Sequence, residues 1–260
     1  MKKPSLIIGG VQKGGTKALL DYLSQHEKIY AYPHEIHFFS RERIYKKGIE
    51  WYFNRFADAR KDQIAIEKSP SYIYTPQVAE RIHRELPHIK LIFILRDPIK
   101  RAYSHFWMNV RKGLERRSFA EAIRAPQKPE PETRNYVSRG FYDEQLQQFT
   151  DRFDDDQILI LQSTDLRHKT QKTIDSVCDF LGIERYTIQP ISGKVGAQPR
   201  SKIYSFFLSY AIQTPLLRKT ENKTIGKIRK KLIGFSNGKP YPPIKEEDKR
   251  FLEELYAERR

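Results

Sequence analysis

Apolar positions along the chain come in short unbroken runs, separated by longer stretches with helical spacing. SLIIGGV (5–11), QIAIE (63–67), KLIFIL (90–95) and QILILQ (157–162) are runs without polar alternation. Such runs read as strands of a parallel sheet buried on both faces. The intervening segments read as helices: 16–26, from about Thr75-Pro76 to Leu86, 98–113, 142–153, 169–181 and the C-terminal KEEDKRFLEELYAERR. Thr16 is placed to cap the first of these, Pro98 opens the third, and Gly113 and Gly182 close theirs. KIYAYP (28–33) reads as a short extended piece and residues 41–60 as irregular or helical. APQKPEPE (125–132) reads as a loop, and residues 190–245, rich in Gly, Pro and Lys, give no clear pattern. Strand–helix alternation predicts an α/β fold, a central parallel sheet flanked by helices, as one domain over residues 1–260. Ligands of such folds bind beyond the C-terminal ends of the strands.

Composition narrows the class. At 260 residues, 38% apolar and 31% charged, the chain is long enough for one sizeable α/β core and is not disordered in character. No apolar run is long enough to span a bilayer, and MKKPSLIIGGV carries no signal-peptide core. Cys178 is the only cysteine, which excludes an intrachain disulfide and a thiolate metal cluster. Its neighbours Val177, Phe180 and Leu181 predict a buried, inert thiol, and a reducing cytoplasmic compartment fits. Lys plus Arg number 48 against 32 Asp plus Glu, a net charge of +16. That field attracts polyanions, or serves solubility alone.

Four motifs sit at or near predicted strand ends. Gly10-Val11-Gln12-Lys13-Gly14-Gly15-Thr16-Lys17 joins a strand to a helix. Its glycines admit an anion to backbone N–H groups at a positive helix end, or simply make a tight turn. The Gly-Lys-Ser/Thr order of nucleotide triphosphate loops is absent, which disfavours a kinase. Pro33-His34-Glu35-Ile36-His37-Phe38-Phe39 places Glu35 and His37 on one side of an extended segment. Desolvation there could raise Glu35 into the range of a general base; the alternative is a surface glutamate beside a packed histidine. Glu67-Lys68-Ser69-Pro70-Ser71-Tyr72 offers Lys68 at a strand end, as a site residue or an ordinary exposed lysine. Arg96, ending the strongest strand, and Ser104, two turns into the next helix, suit a second phosphate; alternatively Arg96 pairs with Asp97.

In this order the four motifs resemble the sulfotransferases that use 3′-phosphoadenosine 5′-phosphosulfate (PAPS). Within them they resemble the heparan sulfate glucosaminyl branch, the 3-O type in particular. RGFYDEQLQQFTDRFDDDQILIL, DFLGI and NGKPYPPIKEEDKRFLEELY extend the likeness over nearly the whole chain. The resemblance implies a P-loop-like fold and in-line transfer of a sulfuryl group from PAPS, leaving 3′,5′-ADP, to a hydroxyl or amine of a carbohydrate acceptor. It assigns Lys13, Gly14, Gly15, Thr16 and Lys17 to the 5′-phosphosulfate, and Arg96 with Ser104 to the 3′-phosphate. Glu35 becomes the general base with His37 beside it, and Lys68 an active-site lysine. Lys13 offsets charge on the bridging oxygen, and Gly238, Lys239 and Tyr241 belong to a late loop closing over the cofactor. No metal is required, because lysines carry the charge compensation. Ser40 stands where the 3-O branch usually has an aspartate that helps read the sugar, and Asn237 where relatives often have lysine. The cysteine pair and the Golgi anchor of animal relatives are missing, which suggests a bacterial cytoplasmic enzyme.

Two other readings compete. A nucleic-acid-binding protein would use LRKTENKTIGKIRKKL (217–232), although basic residues without stacking aromatics give only nonspecific attraction. A nucleotide kinase would need magnesium and ATP. The aromatics of 45–56 and 204–210 suit sugar stacking or, more simply, the core.

Overall fold

The computed structural model describes residues 1–126, 135–191, 197–199 and 237–259. They gather into two compact units, residues 1–97 with 141–193, and residues 98–140 with 194–260.

The first unit holds the expected sheet. Strands β1 (Leu6–Gly10), β2 (Ile29–Ala31), β3 (Ile64–Lys68), β4 (Lys90–Leu95) and β5 (Ile158–Gln162) lie in the order β2-β3-β1-β4-β5, and every pairing is parallel. All five residues of β1 are buried, as its uninterrupted apolar run predicts. Alternate residues feed opposite faces. Ile7, Leu91 and Phe93 pack with Tyr52 and Phe53 of α3 (Ile49–Phe53), Val78, Ala79 and Ile82 of α4 (Val78–Glu85), and Leu146 and Phe149 of α7 (Tyr142–Thr150). Leu6, Ile8, Ile92 and Ile94 pack with Leu19, Leu20 and Leu23 of α1 (Thr16–Leu23), Leu166 of α8 (Ser163–His168), and Ile174, Val177 and Cys178 of α9 (Thr170–Leu181). The α/β class with helices on both faces therefore holds. Cys178 is buried, and burial pushes its thiol up to about 11. β5 lies at the sheet margin, and Ile160 there is exposed.

Several details differ from expectation. Thr16 does not cap α1; Gly15 occupies that place at φ 114, and Thr16 is already the first helical residue. The helix expected from Thr75 begins only at Val78, because Gln77 at φ 64 cannot continue a right-handed helix. Residues 41–60 contain α2 (Glu42–Tyr45) and α3, and their aromatics Tyr52, Phe53 and Phe56 are core.

The second unit contains α5 (Pro98–Arg111), α6 (Phe119–Arg124), an antiparallel pair β6 (Ala197–Pro199) and β7 (Asn237–Pro240), and a last helix Glu246–Ala257. α6 was not expected, although its Ser118–Glu121 capping box is present in the sequence. Tyr256 donates to Val137 O at 2.9 Å and Arg124 pairs with Asp248 at 2.7 Å, so the last helix is anchored to the 119–140 region. Fully buried Arg101 donates to the carbonyl of Tyr136. Among the described residues no helix is long and apolar enough to cross a membrane. The basic 217–232 segment and the aromatics at 204–210 lie outside the described residues.

Candidate active site

The connection from β1 leads to one side of the sheet and that from β4 to the other, so the C-terminal ends of these neighbouring strands form a switch point. The loop after β1 is held there by the backbone. Val11 N–H donates to Ile94 O at 3.1 Å, and Gly14 N–H to Val11 O at 2.9 Å. A side chain at position 14 would put Cβ 2.4 Å from Ile94 O, so glycine is required. Lys13 at φ 74 and Gly15 at φ 114 turn the chain left-handed before α1 starts. Arg96, just beyond β4, donates through Nη1 to Lys13 O at 2.9 Å, while Tyr142 Oη donates to Arg96 O at 2.8 Å. The first N–H groups of α1 have no acceptors within the helix. A left-handed turn, a positive helix end and Lys13 make a concavity that suits a phosphate-type anion. Thr16, the first residue of α1, is buried. Lys17 is exposed and bonds Asp21 at 2.6 Å.

Beyond β3 lies the second half. Lys68 ends that strand, and its ammonium, nearly buried, bonds Glu35 Oε1. Glu35 Oε2 is 3.2 Å from His37 Nε2, and His37 Nδ1 is 3.0 Å from Ser71 Oγ. Ser40 Oγ is in turn 3.2 Å from Ser71 Oγ. Two motifs separated in sequence, that of Glu35 and His37 and that of Lys68, thus form one cluster. The Glu35 side chain remains 41% exposed, open to an incoming acceptor.

The expectation that Glu35 is tuned upward is corrected. Burial does push its carboxyl up, but the hydrogen bonds from His37 and Lys68 and the Lys68 charge outweigh it and hold the group at about 2. The raised carboxyl is Glu67, one residue before Lys68. Burial pushes it up to about 7 against the bonds from Tyr52, Tyr72 and Ser69. Sequence reasoning missed Glu67, Ser69 and Ser71 as site elements. The available signal was an acid inside an apolar strand, with three hydroxyl residues, Ser69, Ser71 and Tyr72, among the next five.

Of the remaining expected residues, Ser104 and Tyr241 lie in the second unit. Tyr241 Oη donates to Ser104 Oγ at 3.4 Å, and its ring stacks on Trp107 with centroids 5.9 Å apart. Gly238 and Lys239 fall in β7.

The sequence profile of the sulfotransferase domain matches residues 3–258. The chain belongs to the sulfotransferase domain family. Human heparan sulfate glucosamine 3-O-sulfotransferase 6 is 31% identical over 254 residues, covering 97% of this chain and 68% of that protein. Human heparan sulfate glucosamine 3-O-sulfotransferase 5 is 45% identical over 115 residues, 44% of this chain and 33% of that one. Among solved structures, a sulfotransferase from Alicyclobacillus acidocaldarius superposes with a TM-score of 0.67 at 26% identity, covering 87% of this chain and 100% of that one. A mouse sulfotransferase complexed with PAP shares the fold, with a TM-score of 0.52 at 16% identity, over 100% of this chain and 85% of that one. The kinase and nucleic-acid readings find no support in these likenesses. In this sulfotransferase the turn after β1 and the cluster after β3 both lie at the C-terminal ends of the parallel strands.

Proposed function

We propose that this sulfotransferase moves a sulfuryl group from PAPS to a hydroxyl or amine of a glycan that contains glucosamine. The observation that carries the reading is the Lys68–Glu35–His37 cluster at the end of β3, in the same unit as the anion-shaped loop after β1. The likeness to 3-O-sulfotransferases of heparan sulfate supports the acceptor class.

When bound, PAPS supplies an activated sulfuryl group on a phosphate leaving group. The loop residues Lys13, Gly14, Gly15, Thr16 and Lys17 hold its 5′ end by backbone donors and lysine charge. Arg96, and in the second unit Ser104, are assigned to its 3′-phosphate by sequence resemblance; Gly238, Lys239 and Tyr241 are assigned to cofactor closure in the same way. Glu35 is ionised at neutral pH and accepts the acceptor's proton on a carboxylate oxygen. Its low pKa makes it a weak base while Lys68 holds Oε1. A turn of Lys68 toward negative charge outside the pair releases that oxygen and strengthens the base. His37 Nε2 keeps Oε2 oriented. The family match from residue 3 to 258 supports treating residues 1–260 as one catalytic domain. The lone buried Cys178 supports a reducing, cytoplasmic setting, and the likeness to the Alicyclobacillus protein supports a bacterial one.

Calorimetric titration without metal tests the donor. Micromolar binding of 3′,5′-ADP and much weaker binding of 5′-AMP is expected; equal binding removes Arg96 and Ser104 from the 3′-phosphate. Transfer of labelled sulfuryl from PAPS to N-sulfated heparosan oligosaccharides tests the acceptor class, and a heparosan-independent product sinks it.

A further inference from the structure

Glu67 is fully buried and lies one residue from Lys68 on β3. Its Oε1 accepts from Tyr52 Oη at 2.8 Å and Tyr72 Oη at 3.0 Å, and its Oε2 accepts from Ser69 Oγ at 3.2 Å. An ionised carboxylate has no proton, so all three hydroxyls must turn their hydrogens toward it. Two of them thereby present lone pairs elsewhere. Ser69 Oγ accepts the backbone N–H of His37 at 3.2 Å, and Tyr72 Oη accepts that of Phe39 at 3.4 Å. His37 is the residue at φ 55, a conformation that costs an ordinary side chain about 1–3 kcal/mol and needs external support. The next residue on the strand, Lys68, bonds Glu35 itself. The dipeptide Glu67-Lys68 thus grips the Glu35 loop twice, once at its backbone through hydroxyls and once at its carboxylate.

We propose that Glu67 is a positioning residue for this reaction, whose ionised carboxylate orients Ser69 and Tyr72 to hold the His37–Phe39 backbone and so keeps Glu35 and His37 in register with Lys68. The role rests on the sulfuryl-transfer reading for its purpose, but the link itself is independent of it.

Protonation breaks the arrangement. A protonated Glu67 carries one donor oxygen, so one of the three hydroxyls must turn its hydrogen away; where that is Ser69 or Tyr72, the oxygen that accepts the His37 or Phe39 N–H is no longer held in one orientation. The groups facing Glu67 are Tyr52 from α3, Ser69 and Tyr72 from the segment after β3, and Lys68 beside it; its register partner on β1 is the uncharged Ile7, and the β2 register ends at Ala31 opposite Ile66. Burial pushes Glu67 up to about 7, so the change falls near neutrality.

Amide hydrogen exchange on the wild-type protein tests the link without any ligand. Protection at His37 and Phe39, corrected for intrinsic chemistry, should fall about tenfold as pH drops below the Glu67 titration, while Leu6 to Ile8 stay unchanged. Glu67→Gln, whose Nε2 is a donor, should show the lowered protection at every pH. With N-sulfated heparosan as acceptor, its kcat should fall roughly ten- to a hundredfold with KM for PAPS unchanged, and the wild-type acid limb should vanish. Tyr52→Phe, which removes a partner of the same carboxylate but touches no loop amide, should change each readout less than about threefold. Wild-type protection that ignores pH, or a Glu67→Gln protein with normal protection and the wild-type pH profile, overturns the proposal. Absent transfer alongside protection that follows Glu67 condemns the assigned reaction and leaves the link standing.

Discussion

The loop after β1 and the loop carrying Glu35 reach the same edge of the sheet by different means. The first is fixed by backbone bonds to its neighbours and by a glycine no side chain can replace. The second is fixed by side chains of β3 and the segment after it, more than thirty residues away in sequence. A loop held by backbone tolerates exchange of its side chains and fails when a Cβ is added. A loop held by a side-chain lattice fails when one charge is removed. The two halves should therefore respond to substitution in opposite ways.

The largest effect is expected where the lattice is densest. Lys68→Ala removes the cation that holds Glu35 Oε1. Sulfuryl transfer should fall by about 10²–10³, while 3′,5′-ADP still binds the other loop. Glu35→Gln should cost a similar factor, about 10²–10⁴. Because both act through one ion pair, the double variant should be little worse than either single one. Additive losses would show that Lys68 serves something other than Glu35.

Gly14→Ala tests the other half. The added Cβ meets Ile94 O at 2.4 Å, a backbone atom that cannot swing aside. Overpacking of this kind costs about 1–3 kcal/mol, to be read in the unfolding midpoint. Binding of 3′,5′-ADP should weaken with it, whereas the Glu35–Lys68 pair, anchored on β3, should be spared. A Gly14→Ala protein with normal stability and binding would break the contrast between the loops.

This difference in construction also decides what could be read from sequence. The first loop declares itself locally: an apolar strand, two adjacent glycines, lysines and a helix start lie within a dozen residues. The parallel sheet was legible for the same reason, four of its strands lying in apolar runs, while β2 reads only as a short extended piece. Lys68 and Glu35 were legible singly and gained meaning from the order of motifs. Glu67 was not, because its burial depends on Tyr52 and Tyr72 closing over it from other segments. The direction of the Glu35 shift was misjudged for the same cause. Desolvation can be guessed from flanking aromatics, but the opposing ammonium comes from a strand 33 residues away. The Thr16 cap failed more locally, since Gly15 at φ 114 takes the capping place and makes Thr16 the first helical residue.

The two carboxyls of the lattice give a smaller effect with opposite signs. Glu35 drops from an ordinary 4.5 to about 2, so its contribution to stability is complete above the unfolded value and is lost as pH falls through the folded one. Glu67 rises from 4.5 to about 7, so the folded form keeps its proton longer than the unfolded form. Its stabilising contribution is complete at low pH and is withdrawn as pH rises between those values. Thermal midpoints of the wild type minus those of Glu67→Gln should therefore decline from about pH 4.5 to 7 and level off above. A flat difference would place the Glu67 carboxyl in solvent-like surroundings.

The smallest change separates holding a fold from holding a ligand. Lys17 bonds Asp21 one turn on, and both side chains are exposed. Such a helical pair is worth only about 0.3–0.5 kcal/mol, so Lys17→Ala should leave the unfolding midpoint almost unmoved. The same lysine stands in the first turn of α1, beside the concavity assigned to the phosphosulfate. If it turns from Asp21 to an anion there, Lys17→Ala should weaken 3′,5′-ADP binding by roughly tenfold, and more at low salt than at high. Asp21→Asn should do the reverse, freeing the ammonium and tightening binding slightly. Equal affinity in both variants would mean that Lys17 keeps its partner throughout, and that backbone N–H groups and Lys13 supply the grip alone.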